Sequence, residues 1–134
     1  MTQEEKNILL KDLCARLLYG VKINHIIYNW EGTCVNFNRK LESFTIEKDN
    51  GLCYDVPVEE VCPYLRPMSS MTEEEYKELK EISPDYGFSP FERIDEWSPN
   101  YEIIDWLNAH HFDYRGLIFM ELALEAPKGM YKIE

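Results

Sequence analysis

The first residues of the chain carry apolar side chains at helical spacing. Thr2 and Glu5 have the spacing of a capping box, which satisfies backbone donors in the first turn of a helix. Gly20 is a residue type that commonly ends a helix. The pattern therefore predicts a helix over residues 3–18, with a buried face formed by Leu9, Leu10, Leu13, Cys14, Leu17 and Leu18.

Residues 21–56 change to the alternation of apolar and polar positions that is typical of strands. The pattern predicts a β meander with strands over residues 21–30, 33–37, 41–47 and 52–56. The Asn50-Gly51 pair predicts a type I′ hairpin turn between the last two strands. The four strands are expected to be sequential and antiparallel, either as a small sheet or curled into a partial barrel.

The second half of the chain is less regular. Pro63 and Pro67 predict an extended connector, because proline disfavours helix at the residue before it. Thr72 and Glu75 form a second capping box, which predicts an acidic helix over residues 72–82. The remaining predicted elements are an aromatic loop over 83–97, a helix over 99–110 that begins with Ser98 as N-cap and Pro99 as its first residue, and a C-terminal strand region over 117–126. The last region is either a strand or a helical turn followed by a strand.

These elements predict an α+β fold in a single domain that spans residues 1–134. About three helices would pack on a small antiparallel sheet, or partial barrel, of four to five strands. Such a fold is compatible with many activities and does not indicate one.

The net charge of −11 lies mostly in the second half of the chain, where residues 71–134 carry fifteen acidic and six basic side chains. A field of this sign repels phosphate backbones and anionic lipids. Direct binding of nucleic acid or membrane is therefore disfavoured, whereas a basic protein partner would be attracted. The polar, acidic start resembles no export signal and no apolar run could span a bilayer, so we expect a cytoplasmic protein.

The four cysteines show none of the usual zinc or redox spacings. In a reducing cytosol they are expected to be free thiols, and Cys14 is expected to be a small core residue. A thiol enzyme would need Cys34, Cys53 or Cys62 beside His110 or His111, with the pKa of the thiol lowered.

The densest group of chemically active side chains is His110, His111 and Asp113. The first hypothesis is a helix end at which the histidines interact with the last carbonyls. The second is a metal-dependent site, for which His25 or a cysteine would supply another ligand. Adjacent histidines on a helix diverge by about 100°, which argues against a shared ion. We therefore predict neither a metal nor any other cofactor, and no catalytic residue.

Arg115 is notable because it lies in the acidic half of the chain. Its planar guanidinium suits a carboxylate partner, which predicts an ion pair with Asp105, Asp113 or the C-terminal carboxylate. The alternative is that Arg115 faces a partner or ligand. Arg66, between the two prolines, has the same two interpretations.

The main functional hypothesis is a non-enzymatic interaction or accessory protein that binds another protein. Aromatic residues carry much of the binding energy at interfaces, so the anchors are predicted to be Tyr86, Phe88, Phe91 and Trp97, together with Arg115. A third hypothesis, besides the small metal or thiol enzyme, is a nucleic-acid-binding module on the sheet. That module would require Lys22, Arg39, Lys40 and Lys48 to cluster on one face.

Three tracts give the chain a resemblance to a family of uncharacterised small proteins from gut Bacteroides-type bacteria and their phages and mobile elements. The tracts are Lys11-Asp12-Leu13-Cys14-Ala15-Arg16-Leu17, Pro63-Tyr64-Leu65-Arg66-Pro67-Met68-Ser69-Ser70-Met71-Thr72, and Asp105-Trp106-Leu107-Asn108 through Tyr114-Arg115-Gly116-Leu117-Ile118. The resemblance implies a bacterial cytoplasmic setting and an origin in a mobile element. It implies no activity, cofactor or catalytic residue. Where relatives carry a glycine, this chain has Met120-Glu121-Leu122.

Overall fold

The computed structural model describes residues 1–82 and 101–131. Within these ranges the fold is α+β, with three α-helices and a six-stranded, mostly antiparallel open sheet. The predicted class is confirmed, but the sheet has more strands than the four to five expected, and it is open rather than barrel-like. The prediction of a single domain stays a prediction.

Helix α1 spans Gln3–Ala15, and a short 3₁₀ turn over Leu17–Tyr19 follows it. Thr2 and Glu5 form the predicted capping box, and Gly20 has the left-handed conformation (φ 66°) that ends the segment. The predicted buried face is wrong in part, because Cys14 and Leu18 are exposed. The polar residues Asp12 and Arg16 are buried with the leucines instead, and their mutual ion pair makes this burial tolerable.

The sheet is built from a meander to which two further strands are added. The strands are β1 (Lys22–His25), β2 (Glu31–Asn38), β3 (Ser43–Glu47), β4 (Cys53–Pro57), β5 (Val61–Leu65) and β6 (Leu124–Glu125). Their order across the sheet is β4-β3-β2-β1-β5-β6. The predicted meander of four sequential antiparallel strands is thereby confirmed.

Strand β5 occupies part of the segment that was predicted to be an extended connector. It pairs antiparallel with β1, and Ile23 lies opposite Pro63. All five of its residues are buried. The sequence did not predict this strand because it contains proline. A proline has no N–H to donate to a neighbouring strand and is therefore unusual inside a sheet.

Strand β6 is two residues long and runs parallel to β5. The alternative of a helical turn followed by a strand is closer to the structure, and a continuous strand over 117–126 is wrong. Tight turns replace it: the amide of Met120 donates to the carbonyl of Gly116, and that of Glu121 to Ile118. Glu121 adopts a positive φ of 62° at the place where the resemblance implied a glycine.

The β3–β4 hairpin also differs from its prediction. A type I′ turn would need positive φ at both central residues, but only Gly51 has it, at 85°. The amide of Gly51 donates to the carbonyl of Lys48, and the amide of Lys48 donates to the carbonyl of Leu52, both at 2.9 Å. These bonds define a three-residue loop with a glycine bulge.

Helices α2 (Glu73–Ile82) and α3 (Tyr101–Ala109) pack against each other through Leu79 and Leu107. Thr72 and Glu75 form the predicted capping box of α2. A separate and larger core fills the space between α1 and the sheet, with Leu13, Ile23 and Phe44 fully buried. The start predicted for α3 at Ser98 and Pro99 lies outside the described residues.

Candidate functional site

The two adjacent histidines at the end of α3 point to different surroundings. Nδ1 of His110 lies 2.8 Å from the carbonyl oxygen of Trp106, and its ring stacks on the Trp106 ring at 4.0 Å. This is the helix-end interaction that the sequence predicted, and it is confirmed for His110. The His110 ring therefore interacts with the last turn of α3 and helps to end the helix.

His111 has left the helix and adopts a positive φ of 61°. Its ring is buried against Tyr131, with 3.7 Å between the ring centroids. Burial, followed by the nearby charge of Arg16, lowers the pKa of His111 to about 3. The imidazole is consequently neutral at neutral pH, and its Nδ1 has no hydrogen-bond partner among the described residues.

Asp113 organises the chain that follows it. Its two carboxylate oxygens accept hydrogen bonds from the amides of Leu117 at 2.8 Å and Ile118 at 2.9 Å. Burial raises the pKa of Asp113. Both oxygens are thus committed to a local turn, and in residues 1–82 and 101–131 no group of three or more histidine, cysteine or acidic side chains is placed to hold a metal ion.

The four cysteines are free, as predicted; Cys53 is exposed on β4, whereas the buried Cys34 and Cys62 lack the properties of catalytic thiols. Burial raises the pKa of Cys34 to about 12 and the pKa of Cys62 to about 11. The Cys62 thiol donates to the carbonyl of Leu122 at 3.6 Å. A nucleophilic thiol needs its pKa lowered, so these two are structural.

Arg115 does form an ion pair, but with a partner that the sequence did not indicate. Its Nε lies 3.3 Å from Oδ1 of Asp12, which is fully buried in α1. The same carboxylate binds Arg16, so Asp12 lies between two guanidinium groups. The predicted partners Asp105 and Asp113 are therefore wrong, and the third, the C-terminal carboxylate, lies outside the described residues. The side chain of Arg115, about one-third exposed, joins the C-terminal segment to α1.

Arg66 is likewise occupied by the fold. Its guanidinium binds the Glu75 carboxylate through two hydrogen bonds of 2.8 and 2.7 Å and lies 4.1 Å from the centre of the Phe112 ring. It borders a cleft of about 760 Å³ that runs between residues 66–72 and 125–131. Since Glu75 neutralises Arg66, the cleft lacks a concentrated charge that would indicate a ligand.

The basic residues required for a nucleic-acid module lie at opposite ends of the β2–β3 hairpin. Lys22 pairs across the sheet with Thr33, and Lys48 directly follows Glu47, which pairs with the same Thr33. Arg39 and Lys40 follow Asn38, which lies five residues beyond Thr33 in β2. Five residues of strand span about 17 Å. The four cations do not form one patch.

The turn between β1 and β2 presents an unusual surface. Ile26, Ile27 and Tyr28 are consecutive and all exposed, with 62% of Ile27 and 76% of Tyr28 accessible. Consecutive exposed apolar residues are uncommon in folded proteins unless they have a function. The sequence analysis missed them because it extended the strand alternation through this turn. The signal was Ile26, an apolar residue at a position where that alternation requires a polar one.

Several hydrogen bonds around His25 hold this turn in place. Nδ1 of His25 accepts from the amide of Tyr28 at 3.1 Å, and Nε2 lies 3.1 Å from a carboxylate oxygen of Glu60. The carbonyl of His25 accepts a hydrogen bond from the amide of Asn29, and the amide of His25 donates one to the carbonyl of Trp30. The apolar side chains are therefore displayed by a fixed backbone.

A row of aromatic rings connects this turn to the β3–β4 hairpin. The His25 ring lies between those of Tyr28 and Trp30, at 5.2 and 5.0 Å, and Trp30 contacts Tyr54 at 5.6 Å. The ammonium group of Lys48 lies 4.9 Å from the centre of the Trp30 ring. We call the exposed apolar side chains at this end of the sheet the apolar corner; they are Ile26, Ile27, Tyr28, Leu52 and Tyr54.

The aromatic anchors that the sequence indicated, Tyr86, Phe88, Phe91 and Trp97, lie outside the described residues. Among those that are described, no helix is long and apolar enough to cross a membrane.

Comparison of the chain with models of protein families, with curated proteins and with solved structures gives no match.

Proposed function

We propose that this protein is a non-enzymatic interaction protein that binds another protein through the apolar corner. The observation that carries the proposal is the exposed Ile26-Ile27-Tyr28 sequence on a turn fixed by hydrogen bonds. Burial of such side chains against a partner contributes favourable free energy in proportion to the area removed from water. An accessory protein of a Bacteroides-type phage or mobile element is the setting that the resemblance adds.

The fixed backbone of the turn supports this proposal. Ordering a flexible loop at an interface opposes binding, whereas a loop already held in its bound conformation avoids that cost. The bonds that His25 accepts from the amides of Tyr28 and Asn29, with the 3.0 Å bond from the Ile26 amide to the Glu60 carbonyl, hold the turn before any partner arrives. The corner thus resembles a preorganised binding surface.

The residues around the corner indicate the kind of partner. Glu31, Glu47 and Asp49 flank its turns and outnumber Lys48, whose ammonium group lies over the Trp30 ring, and the whole chain carries a net charge of −11. Interfaces commonly place an apolar centre inside a polar rim of complementary charge. The partner should therefore offer an apolar pocket with basic residues around it. Two copies of this chain would repel each other, which argues against self-association through the corner.

Neither alternative gains support from the described residues. Asp113 and the two histidines serve the turns and packing around α3, and the thiols of Cys34 and Cys62 are protonated. The basic residues of the nucleic-acid hypothesis are separated along the hairpin.

Site-specific photo-cross-linking tests the proposal. A photoreactive phenylalanine analogue replaces Ile27 in one protein and Leu41 in the matched control, because Leu41 is equally exposed (66% against 62%) but lies beyond the opposite end of β2. In the cells that make the protein, a discrete adduct is expected from position 27 and not from position 41. Equal labelling at both positions, or an adduct of twice the chain mass, would contradict the proposal.

A further inference from the structure

Strand β4 forms one edge of the sheet. It pairs with β3 over five residues, and within the described residues it has no partner on its other side. An edge strand with unpaired amides and carbonyls can accept a strand from another chain. Which of its backbone groups point outward decides what such a strand would meet.

The hairpin bonds fix the direction of these groups. In an antiparallel pair, residues alternate between bonding to the neighbouring strand and pointing away from it. The bond from the Lys48 amide to the Leu52 carbonyl makes that pair a bonded one. Tyr54 and Val56 then face β3, whereas the amides and carbonyls of Cys53 and Asp55 face outward. Pro57 falls in the outward phase, where its missing N–H breaks no bond to β3.

The two faces beside this edge differ in character. Leu52 and Tyr54 are exposed on the face that continues into Trp30 and the apolar corner. Asp55 is exposed on the opposite face, in the same row as Thr45, and Glu47 lies next along β3. An incoming strand would meet apolar side chains on one face and the Asp55 carboxylate, with Glu47 one strand behind it, on the other.

We propose that the β4 edge binds an extended segment of a partner protein in which apolar and basic residues alternate. The segment adds a seventh strand by bonding to the outward groups of Cys53 and Asp55. Its apolar residues pack beside Leu52 and Tyr54, and its basic residues lie beside Asp55, with Glu47 one strand further into the sheet. This inference rests on the proposed function and names the form of the partner at the same surface.

A second copy of β4 is a poor occupant of this edge. Antiparallel pairing of two β4 strands would bring the Asp55 carboxylates of both copies together, and both chains carry a net charge of −11. Exposed charges and proline on an edge strand are devices that oppose such self-pairing. The charge pattern therefore favours a basic strand from a different protein.

Synthetic peptides test the edge without knowledge of the natural partner. The probe is a fluorescent, end-blocked peptide of alternating lysine and valine, six residues long. One control carries N-methyl groups on all six residues, which removes the amide donors from both edges of the peptide in either strand orientation, and the second replaces every lysine with glutamate. Binding to the full chain is measured by fluorescence anisotropy at low and moderate salt, and the bound state by amide hydrogen exchange.

The lysine–valine peptide is expected to bind at least about tenfold more tightly than either control. Its binding should weaken with salt, and it should protect the amides of Cys53 and Asp55. Asp55→Pro should abolish binding because it removes an outward donor, whereas Asp55→Asn, which keeps that donor, should weaken binding only partly. Since Asp55→Pro could disturb folding, the N-methyl peptide supplies the same test on the unaltered protein.

Absence of binding up to millimolar peptide, or equal affinity for the N-methylated control, would overturn this proposal. If position 27 still gives a specific cross-link in cells, only the edge proposal fails. If that cross-link is absent as well, the proposed function fails with it.

Discussion

Arg16 binds Asp12 one helical turn earlier in α1, with 2.9 Å between Nε and Oδ2, and both side chains are entirely buried. A second nitrogen of Arg16 lies 3.1 Å from the other carboxylate oxygen and 2.6 Å from the carbonyl oxygen of Phe112. Together with Arg115, this pair joins α1 to the segment that follows α3. A buried ion pair is costly to break because the remaining charge has no water around it.

Arg16→Met should therefore destabilise the protein severely. The substitution leaves Asp12 buried with only Arg115 beside it and removes the donor to Phe112. Loss of one member of a buried pair typically costs about 3–5 kcal/mol. The free energy of unfolding, measured by urea denaturation, should fall by about this amount.

The double variant Asp12→Leu with Arg16→Met is the informative control, because it removes both charges and restores apolar volume. It should be more stable than Arg16→Met alone, since no buried carboxylate is left underpaired. A double variant as unstable as the single one would show that packing, rather than charge, explains the loss.

Glu121→Gly should stabilise the fold. Glu121 is exposed and holds a left-handed backbone conformation (φ 62°) that costs a residue with a Cβ roughly 1–2 kcal/mol and glycine little. Glycine is more flexible in the unfolded chain, so a net gain of about 0.5–1 kcal/mol is expected. Glu121→Ala keeps the strain and should give no such gain in a thermal or urea melt.

His111 should make stability depend on pH. Burial lowers the pKa of His111 from 6.5 to about 3. Between these pH values the imidazole is protonated in the unfolded chain and neutral in the folded chain. This contribution to stability is complete above pH 6.5 and is lost as pH falls toward 3, by up to about 1.4 kcal/mol per pH unit.

His111→Asn isolates that effect, because asparagine tolerates the left-handed conformation at this position but does not titrate. The raised pKa of Asp113 changes the pH dependence of the unfolding free energy in the opposite direction. Both proteins contain Asp113, so its contribution cancels when their pH profiles are compared. Between pH 6.5 and 4, the unfolding free energy of the variant should fall less steeply than that of the original chain. Parallel pH profiles would contradict the burial of His111.

Amide hydrogen exchange of the isolated protein tests whether β4 is an open edge. The amides of Tyr54 and Val56 point toward β3 and should exchange slowly. The amides of Cys53 and Asp55 point outward and should exchange rapidly. Slow exchange at Asp55 would mean that another part of the chain already occupies the edge.

Local signals in the sequence were sufficient for much of the fold. The two capping boxes predicted the starts of α1 and α2, and strand alternation predicted the meander, because both patterns arise between residues close in the chain. Strand β5 was missed because its partners are β1 and the distant β6, and its proline argued against a strand. Long-range pairing of this kind leaves little local pattern.

The candidate site was harder to predict for a related reason. His110, His111 and Asp113 looked functional as residue types, but the structure assigns them to a helix end, a buried stack and a turn. The apolar corner depends on which side chains remain exposed after folding. The hydrophobic pattern alone placed its two isoleucines in a strand. Likewise, Arg115 finds Asp12 only through tertiary packing.

The most direct test of the central claim is competition for the cross-link formed from position 27. Unlabelled original chain, added in excess to a lysate of the cells that make the protein, should suppress the adduct. The Leu41→Asp variant should compete equally well, whereas Ile27→Asp should compete poorly because it places a charge in the apolar contact. Equal competition by Ile27→Asp and Leu41→Asp, with both variants folded, would show that the apolar corner is not the binding surface.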